Sequence, residues 1–191
     1  LRDPNPLVNG KGLAYLKQHG IETRCNILKD DAVELNKGFI KRVTTNLPYV
    51  IIKSAISVDG KTALASGESK WITSEHARLD VQKLRARSCA ILTGIKTILS
   101  DDPSLTVRLS MQDLGIKEKF EQPLRVILDT HLKIPNTAKV LDLPGKVLIY
   151  TCSNNPEKIS ALKSQHVDVV SVNTSTNYVD LNNVMSDLAD R

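Results

Sequence analysis

Five short apolar runs recur along most of this chain: YVIIKSAI (49–56), CAILTG (89–94), PLRVILDT (123–130), KVLIYTC (146–152) and VDVVSV (167–172). Each is rich in Val, Ile and Leu, is too short for a buried helix, and is bounded by turn-forming residues, so each reads as a strand. The runs are nearly continuous in apolar character, which predicts strands covered on both faces. Helical patterns fall between them. In SEHARLDVQKLRARS (74–88), Thr73 or Ser74 serves as N-cap, Glu75 lies in the first turn, and Ala77, Val81 and Leu84 keep helical spacing. Segments 156–165 and 180–191 also read as helices, and IKTILSDDPSLTVR (95–108) as a turn-rich connection. Strands alternating with helices predict an α/β fold in three layers, a mostly parallel sheet between helices.

The first 46 residues have a different texture. Asp3-Pro4-Asn5-Pro6 signals a turn, GLAYLKQHG (12–20) a short helix stopped by Gly20, IETRCNIL (21–28) a strand, and DDAVELNKGFIKRVTT (30–45) a second helix. Asn46-Leu47-Pro48 then reads as a linker, which divides the chain into residues 1–46 and 47–191. The opening LRDPNPLVNGKG lacks an initiator Met and the close LNNVMSDLADR stops inside a helical pattern, so we expect a piece of a longer protein.

Composition narrows the function classes. With 4% aromatic residues, the core must be built from Leu, Ile, Val and Ala. The net charge of +5 is spread without a block of five basic residues. That balance suits an anionic small ligand and gives no basic stretch with interleaved aromatics for nucleic acid. Cys25, Cys89 and Cys152 are far apart and odd in number, which argues against a disulfide framework or a zinc site in this chain. No apolar run is long enough to span a membrane, and no signal peptide is legible, so a cytoplasmic protein is the expectation. The sequon Asn173-Thr174-Ser175 carries meaning only in a secreted chain.

Ligands of open α/β sheets bind beyond the carboxyl ends of the strands. The segments to inspect are therefore 57–73, 94–108, 129–135 and 151–156, all rich in Ser, Thr, Asp, Asn and Gly. Segment 57–73, SVDGKTALASGESKWIT, also carries the only Trp. Arg108 ends the second segment and Arg85 lies on the helix between the first two. A guanidinium meets a phosphate through two parallel charge-assisted bonds, so two arginines near strand ends suit a phosphorylated substrate. Gly10-Lys11-Gly12 lacks the third glycine of the dinucleotide fingerprint and follows no strand. The sequence has no Gly-x-Ser-x-Gly, no Walker A motif and no hydrolytic zinc signature. His19, His76, His131 and His166 read as solvated surface groups.

The stretch DGKTALASGESKWIT, the following LRA (84–86) and TILSDDPSLTVR (97–108) closely resemble the reductase domain of the bacterial bifunctional riboflavin-biosynthesis family. DPNPLVNGKG and LNKGFIKR (35–42) resemble the tail of that family's deaminase domain. The resemblance is strong over residues 2 to 135 and weak beyond. It implies a dihydrofolate reductase-like fold preceded by a remnant of a cytidine deaminase-like domain. The deaminase's zinc ligands and acid/base Glu have no counterpart here, so zinc belongs to the missing part and no metal site is expected. The reaction implied is reduction of the ribosyl group of 5-amino-6-(5-phosphoribosylamino)uracil by NADPH, in a homodimer. The family's glycine-rich pyrophosphate turn is not found before Arg191, so an inactive fragment stays open.

Carried over position by position, the resemblance puts Ala55, Trp71, Thr97, Asp101 and Thr130 on NADPH. It puts Ser69, Arg85, Leu105 and Arg108 on the phosphorylated ribosylaminopyrimidine. Asp59 and Lys53 are further candidates near the reacting centre. Taken singly, each has an ordinary reading: Asp59-Gly60 as a turn, Asp101-Asp102-Pro103 as a turn with a cap, Thr97 and Thr130 as caps, Trp71 as core or interface, Arg85 as a solvated or Asp80-paired side chain. A different reductase of the same fold acting on a pterin is the alternative enzyme, and it would want a buried carboxylate in place of two arginines. Nucleic-acid binding, which salt would weaken steeply, ranks last.

Overall fold

The computed structural model describes residues 1–117, 120–164, 166–172 and 178–191, and the sequon at 173–175 lies outside them. Along the chain run α1 (Lys11–Gln18), α2 (Lys29–Leu35), α3 (Lys37–Thr45), α4 (Glu75–Ala86), β1 (Ala90–Gly94), α5 (Ile95–Asp101), α6 (Met111–Leu114), β2 (Leu124–Leu128), α7 (Lys139–Asp142), β3 (Val147–Thr151), α8 (Pro156–Leu162), β4 (Val167–Ser171) and α9 (Leu181–Asp190). They fall into two compact units, residues 1–53 with 181–191, and residues 54–180.

The first unit is helical. Gly20, at φ +75°, ends α1 with the Ile21 N–H donating to Leu16 O (3.0 Å) and its own N–H to Lys17 O (3.1 Å). Only a residue free to adopt left-handed backbone closes a helix in this way at no steric cost. The single helix expected over 30–45 is in fact two. At Asn36 the side-chain amide donates to Ala32 O (2.8 Å), next to a backbone N–H that also reaches Ala32 O (3.2 Å), and this local competition breaks the helix. The strand expected over 21–28 does not form. Asn26 (φ 66°) and Leu28 (φ 51°) adopt left-handed backbone, which cannot extend. In this unit Arg42 Nε donates to Ala189 O (2.5 Å) and Asn46 Nδ2 to Asp190 Oδ1 (3.4 Å), tying α3 to α9.

The second unit is built on a parallel sheet in the order β1-β2-β3-β4. Ala90 pairs with Leu124, Val126 with Leu148, and Ile149 with Val169. Right-handed crossovers in a sheet whose strand order follows chain order keep every connection on one face. The core agrees: Ile98 of α5, Val140 and Leu141 of α7, and Leu162 of α8 cluster with Ile127, Val147, Ile149, Val167 and Val169. Val126, Leu148 and Tyr150 point to the opposite face and are buried too, so the two middle strands are covered on both sides. The α/β expectation holds for four of the five apolar runs.

The fifth, 49–56, forms no strand, and Ile52 is 91% exposed. A β-branched run prefers extended backbone, but strand stability comes from cross-strand packing, and no neighbour takes it up among the described residues. A second departure is α5, a helix where the turn-rich connection was expected.

A buried arginine organises the turn into β3. Arg125, fully buried on β2, donates through Nη2 to the carbonyls of Leu143 (2.8 Å), Pro144 (3.1 Å) and Gly145 (2.7 Å). Burial lowers its pKa. Gly145 sits at φ +105°, and a Cβ there would stand 2.8 Å from Gln122 Cβ. Gly145→Ala therefore strains both backbone and packing. We expect a loss of about 2 kcal/mol in urea denaturation, and an unchanged midpoint would show that the turn relaxes freely.

Candidate active site

Helix α4 starts on Ser74, whose hydroxyl accepts from the Ala77 N–H (3.3 Å). Its working face is polar. Positions 78, 82 and 85 follow helical spacing, and they carry Arg78, Gln82 and Arg85. The Arg78 guanidinium lies 4.3 Å from the centre of the Trp71 ring and donates to Thr73 O (2.6 Å). Gln82 is the buried residue of the helix, and its Oε1 accepts from the Arg108 N–H (2.9 Å). Arg85 donates to Thr106 O (3.1 Å).

The segment around Arg108 is held from the other side as well. Gln122 receives the Val107 N–H on Oε1 (2.8 Å) and donates Nε2 to Val107 O (3.0 Å). Two glutamine amides thus pair with this backbone as a neighbouring strand would. The result brings the two expected phosphate ligands together. The Arg85 pKa is lowered, first by burial and second by the positive charge of Arg108. A half-buried guanidinium with an exposed like charge nearby favours the approach of an anion.

Leu105 has its side chain in the hydrophobic core and its backbone at φ 51°, so a ligand there meets main chain. Ser69 and Ala55 are half-buried. Trp71 is 70% exposed, so its core reading is overturned, and one partner of its ring is Arg78.

Segment 57–73 contains two tight turns. The Ser57 N–H donates to Lys61 O (2.9 Å), and the Leu64 N–H to Glu68 O (2.8 Å). Asp59 accepts the Ser57 hydroxyl inside the first turn and is exposed. That geometry matches its ordinary reading as a turn residue. Lys53 is exposed and belongs to the first unit.

Gly94 and Leu128 are register partners, so β1 and β2 end side by side. Thr97 and Asp101, one helical turn apart on α5, follow the first and are exposed. The Ser100 hydroxyl donates to Asp101 Oδ1 (2.9 Å). Asp102 does different work: its Oδ1 accepts the Lys139 N–H (2.9 Å) and its Oδ2 lies 3.6 Å from Lys139 Nζ. Thr130 follows β2, and its carbonyl accepts from the Cys152 N–H (3.0 Å) and the Thr151 hydroxyl (3.2 Å).

Sequence reasoning did not single out Asp129, Gln82, Gln122 or the lysines beyond Thr130. Asp129 is fully buried. Its Oδ2 accepts the Ile134 N–H (2.7 Å), its carbonyl accepts the Leu132 N–H (3.0 Å), and Oδ1 has no partner among the described residues. A polar residue closing an apolar run, here VILD, is the signal that marks it. Between the loop after β2 and α8 lies a cleft of about 610 Å³, which Lys133, Asn136, Asn155, Glu157 and Lys158 help to line. Among the described residues no His, Cys, Asp and Glu side chains group to hold a metal ion, and no helix is long and apolar enough to cross a membrane.

Comparison with known proteins accounts for the pattern. A family model described as the RibD C-terminal domain matches residues 48–191. The chain is 46% identical over 151 residues to the riboflavin biosynthesis protein RibD of Escherichia coli, covering 76% of this chain and 41% of that protein. It is 43% identical over 192 residues to RibD of Chlamydia pneumoniae, covering 100% and 50%. The chain therefore spans about half the length of the curated relatives it matches. Among solved structures, Acinetobacter baumannii RibD superposes with a TM-score of 0.80 at 40% identity, over 99% of this chain and 49% of that one. The Thermotoga maritima diaminohydroxyphosphoribosylaminopyrimidine deaminase/5-amino-6-(5-phosphoribosylamino)uracil reductase gives 0.82 at 32% identity, also over 99% and 49%. The yeast riboflavin biosynthesis reductase Rib7 gives 0.56 at 20% identity, a likeness of fold. With its parallel α/β unit, its paired arginines and a family match over residues 48–191, the chain belongs to the RibD C-terminal domain family.

Proposed function

We propose that this chain is the reductase part of a riboflavin-pathway protein. It would reduce the ribosyl group of 5-amino-6-(5-phosphoribosylamino)uracil to the ribityl group, with NADPH. The observation that carries the reading is the meeting of Arg85 and Arg108. The Arg85 guanidinium donates to the Thr106 carbonyl, and the Arg108 backbone N–H is held by the amide of Gln82. A dianionic phosphate monoester completes such a pair, whereas a pterin offers it nothing.

In this reading Arg85 and Arg108 hold the substrate 5-phosphate, and Ser69 and the main chain at Leu105 orient the rest. The donor set at the ends of β1 and β2 fits a dinucleotide. Thr97, Asp101 and Thr130 offer hydroxyls and a carboxylate to ribose from neighbouring strand ends. Ala55 would leave room for the nicotinamide and Trp71 would lie against it. The chemistry that NADPH supplies when bound is hydride donation to C1′ of the ring-opened ribose. Asp59 remains a candidate beside the reacting carbon. Residues 1–46 would be the end of a deaminase domain and 47–191 the reductase domain, in a cytoplasmic homodimer. Any zinc would belong to the deaminase.

Two outcomes follow. NADPH should quench the fluorescence of Trp71, the single Trp, saturably and more strongly than NADH. A flat titration would remove Trp71 from the cofactor site. In an assay of NADPH oxidation with the phosphorylated substrate, Arg108→Ala should raise KM roughly 10- to 100-fold, since a charge-assisted contact contributes about 1.5–3 kcal/mol. The affinity for NADPH should be nearly unchanged. An equal fall in NADPH binding would sink the assignment of Arg108 to the substrate, and no reduction by the wild-type chain would sink the reading itself.

A further inference from the structure

The cleft between the loop after β2 and α8 lies beyond the carboxyl ends of two adjacent parallel strands and is built by the loops that follow them. Its volume of about 610 Å³ is that of a small-molecule site. Its charge is unbalanced. Lys133 and Lys158 face it with one carboxylate, Glu157. Among the described residues neither ammonium has a carboxylate within ion-pairing distance. Asn155 Oδ1 is engaged by the Lys158 N–H (3.0 Å), which leaves its amide nitrogen to donate.

The wall bearing Lys133 is rigid. Leu132 and Ile134 on either side of it are buried to 1% and 0% exposure, so the chain is anchored twice and Lys133 is turned outward between the anchors. The buried Asp129 carboxylate holds the Ile134 N–H, and the Thr130 carbonyl ties the loop to the start of the β3–α8 connection through Cys152. Two ammonium groups lining one cleft suit a compact dianion, and the anchored backbone under Lys133 lowers the ordering left to be done on binding.

We propose that this cleft receives the 2′-phosphate on the adenosine ribose of NADPH, and that Lys133 and Lys158 make the chain select the phosphorylated dinucleotide over NADH. The inference rests on the reductase reading and deepens it. Thr130, already placed near the cofactor, sits three residues before Lys133 on the same loop, which brings the ribose and the lysines within one ligand's length. Asp129 is a positioning residue for the same wall. Glu157 opposes the dianion and sets a limit on its affinity.

The test is calorimetric titration of the 191-residue chain with 2′,5′-ADP and with 5′-AMP, which lacks the 2′-phosphate, at low salt. The wild-type chain should bind 2′,5′-ADP at least about tenfold more tightly. The double variant Lys133→Ala, Lys158→Ala should lose that preference while its affinity for 5′-AMP stays the same. Lys133 is exposed and Lys158 half-buried, neither in the core, so its circular dichroism should match the wild type. Glu157→Gln should strengthen 2′,5′-ADP alone. Discrimination that survives in the double variant overturns the site. So does equal binding of the two nucleotides, silence toward both, or inorganic phosphate competing as well as the nucleotide does. If NADPH-dependent reduction of the phosphorylated substrate persists alongside any of these results, only the lysine site fails and the reductase reading stands.

Discussion

Arg85 and Arg108 repel each other, and they stay together because the backbone around Arg108 is held from two sides. Gln82 reaches from α4 to the Arg108 N–H, and Gln122 pairs both polar groups of Val107. These three bonds do for an isolated segment what a neighbouring strand does in a sheet. Each is modest alone, but the segment carries Leu105 and Val107 into the core, so the polar ties and the apolar burial hold one geometry.

The sheet explains why the rest of the site has to be made by loops. Its strands run in chain order without a reversal, so no crevice opens between crossovers leaving in opposite directions. What the sheet contributes is alignment. β1, β2 and β3 end in step, and the segments after them rise side by side. Asp129 then folds the loop after β2 back on itself, and Asp102 anchors the connection after α5 to the start of α7. Carboxylates bonded to backbone N–H groups, the Asp129 one fully buried, stiffen such loops by satisfying donors that would otherwise go unpaired.

Much of this was legible in the residues. CAILTG, PLRVILDT, KVLIYTC and VDVVSV became β1 to β4 because short Val/Ile/Leu runs between turn residues admit few other structures. Gly20 stopped α1 for the reason it was expected to, and Ser74 capped α4. YVIIKSAI has the same composition and formed no strand, because β-propensity is a readiness to pair and pairing needs a neighbour. Gln82 and Gln122 were invisible to hydrophobic periodicity, being polar residues that do structural work. Asn36 broke a helix that periodicity read as continuous, through a side-chain bond that no apolar pattern records.

By itself the sequence determined the residue chemistry and the local preferences: parallel strands separated by helices, a basic and aromatic-poor chain, and a Ser, Thr, Gly-rich segment before a helix that carries arginines. Those are properties of neighbours a few residues apart, and side-chain identity settles them. Tertiary structure alone decided which charges meet. Arg85 and Arg108 stand 23 positions apart, as Lys133 and Lys158 stand 25 apart. Their encounters depend on strand order, on loop closure by Asp129, and on two glutamines whose partners lie 15 and 26 residues away. Such distances in sequence carry no periodic signal, because only the folded sheet brings their ends to one edge.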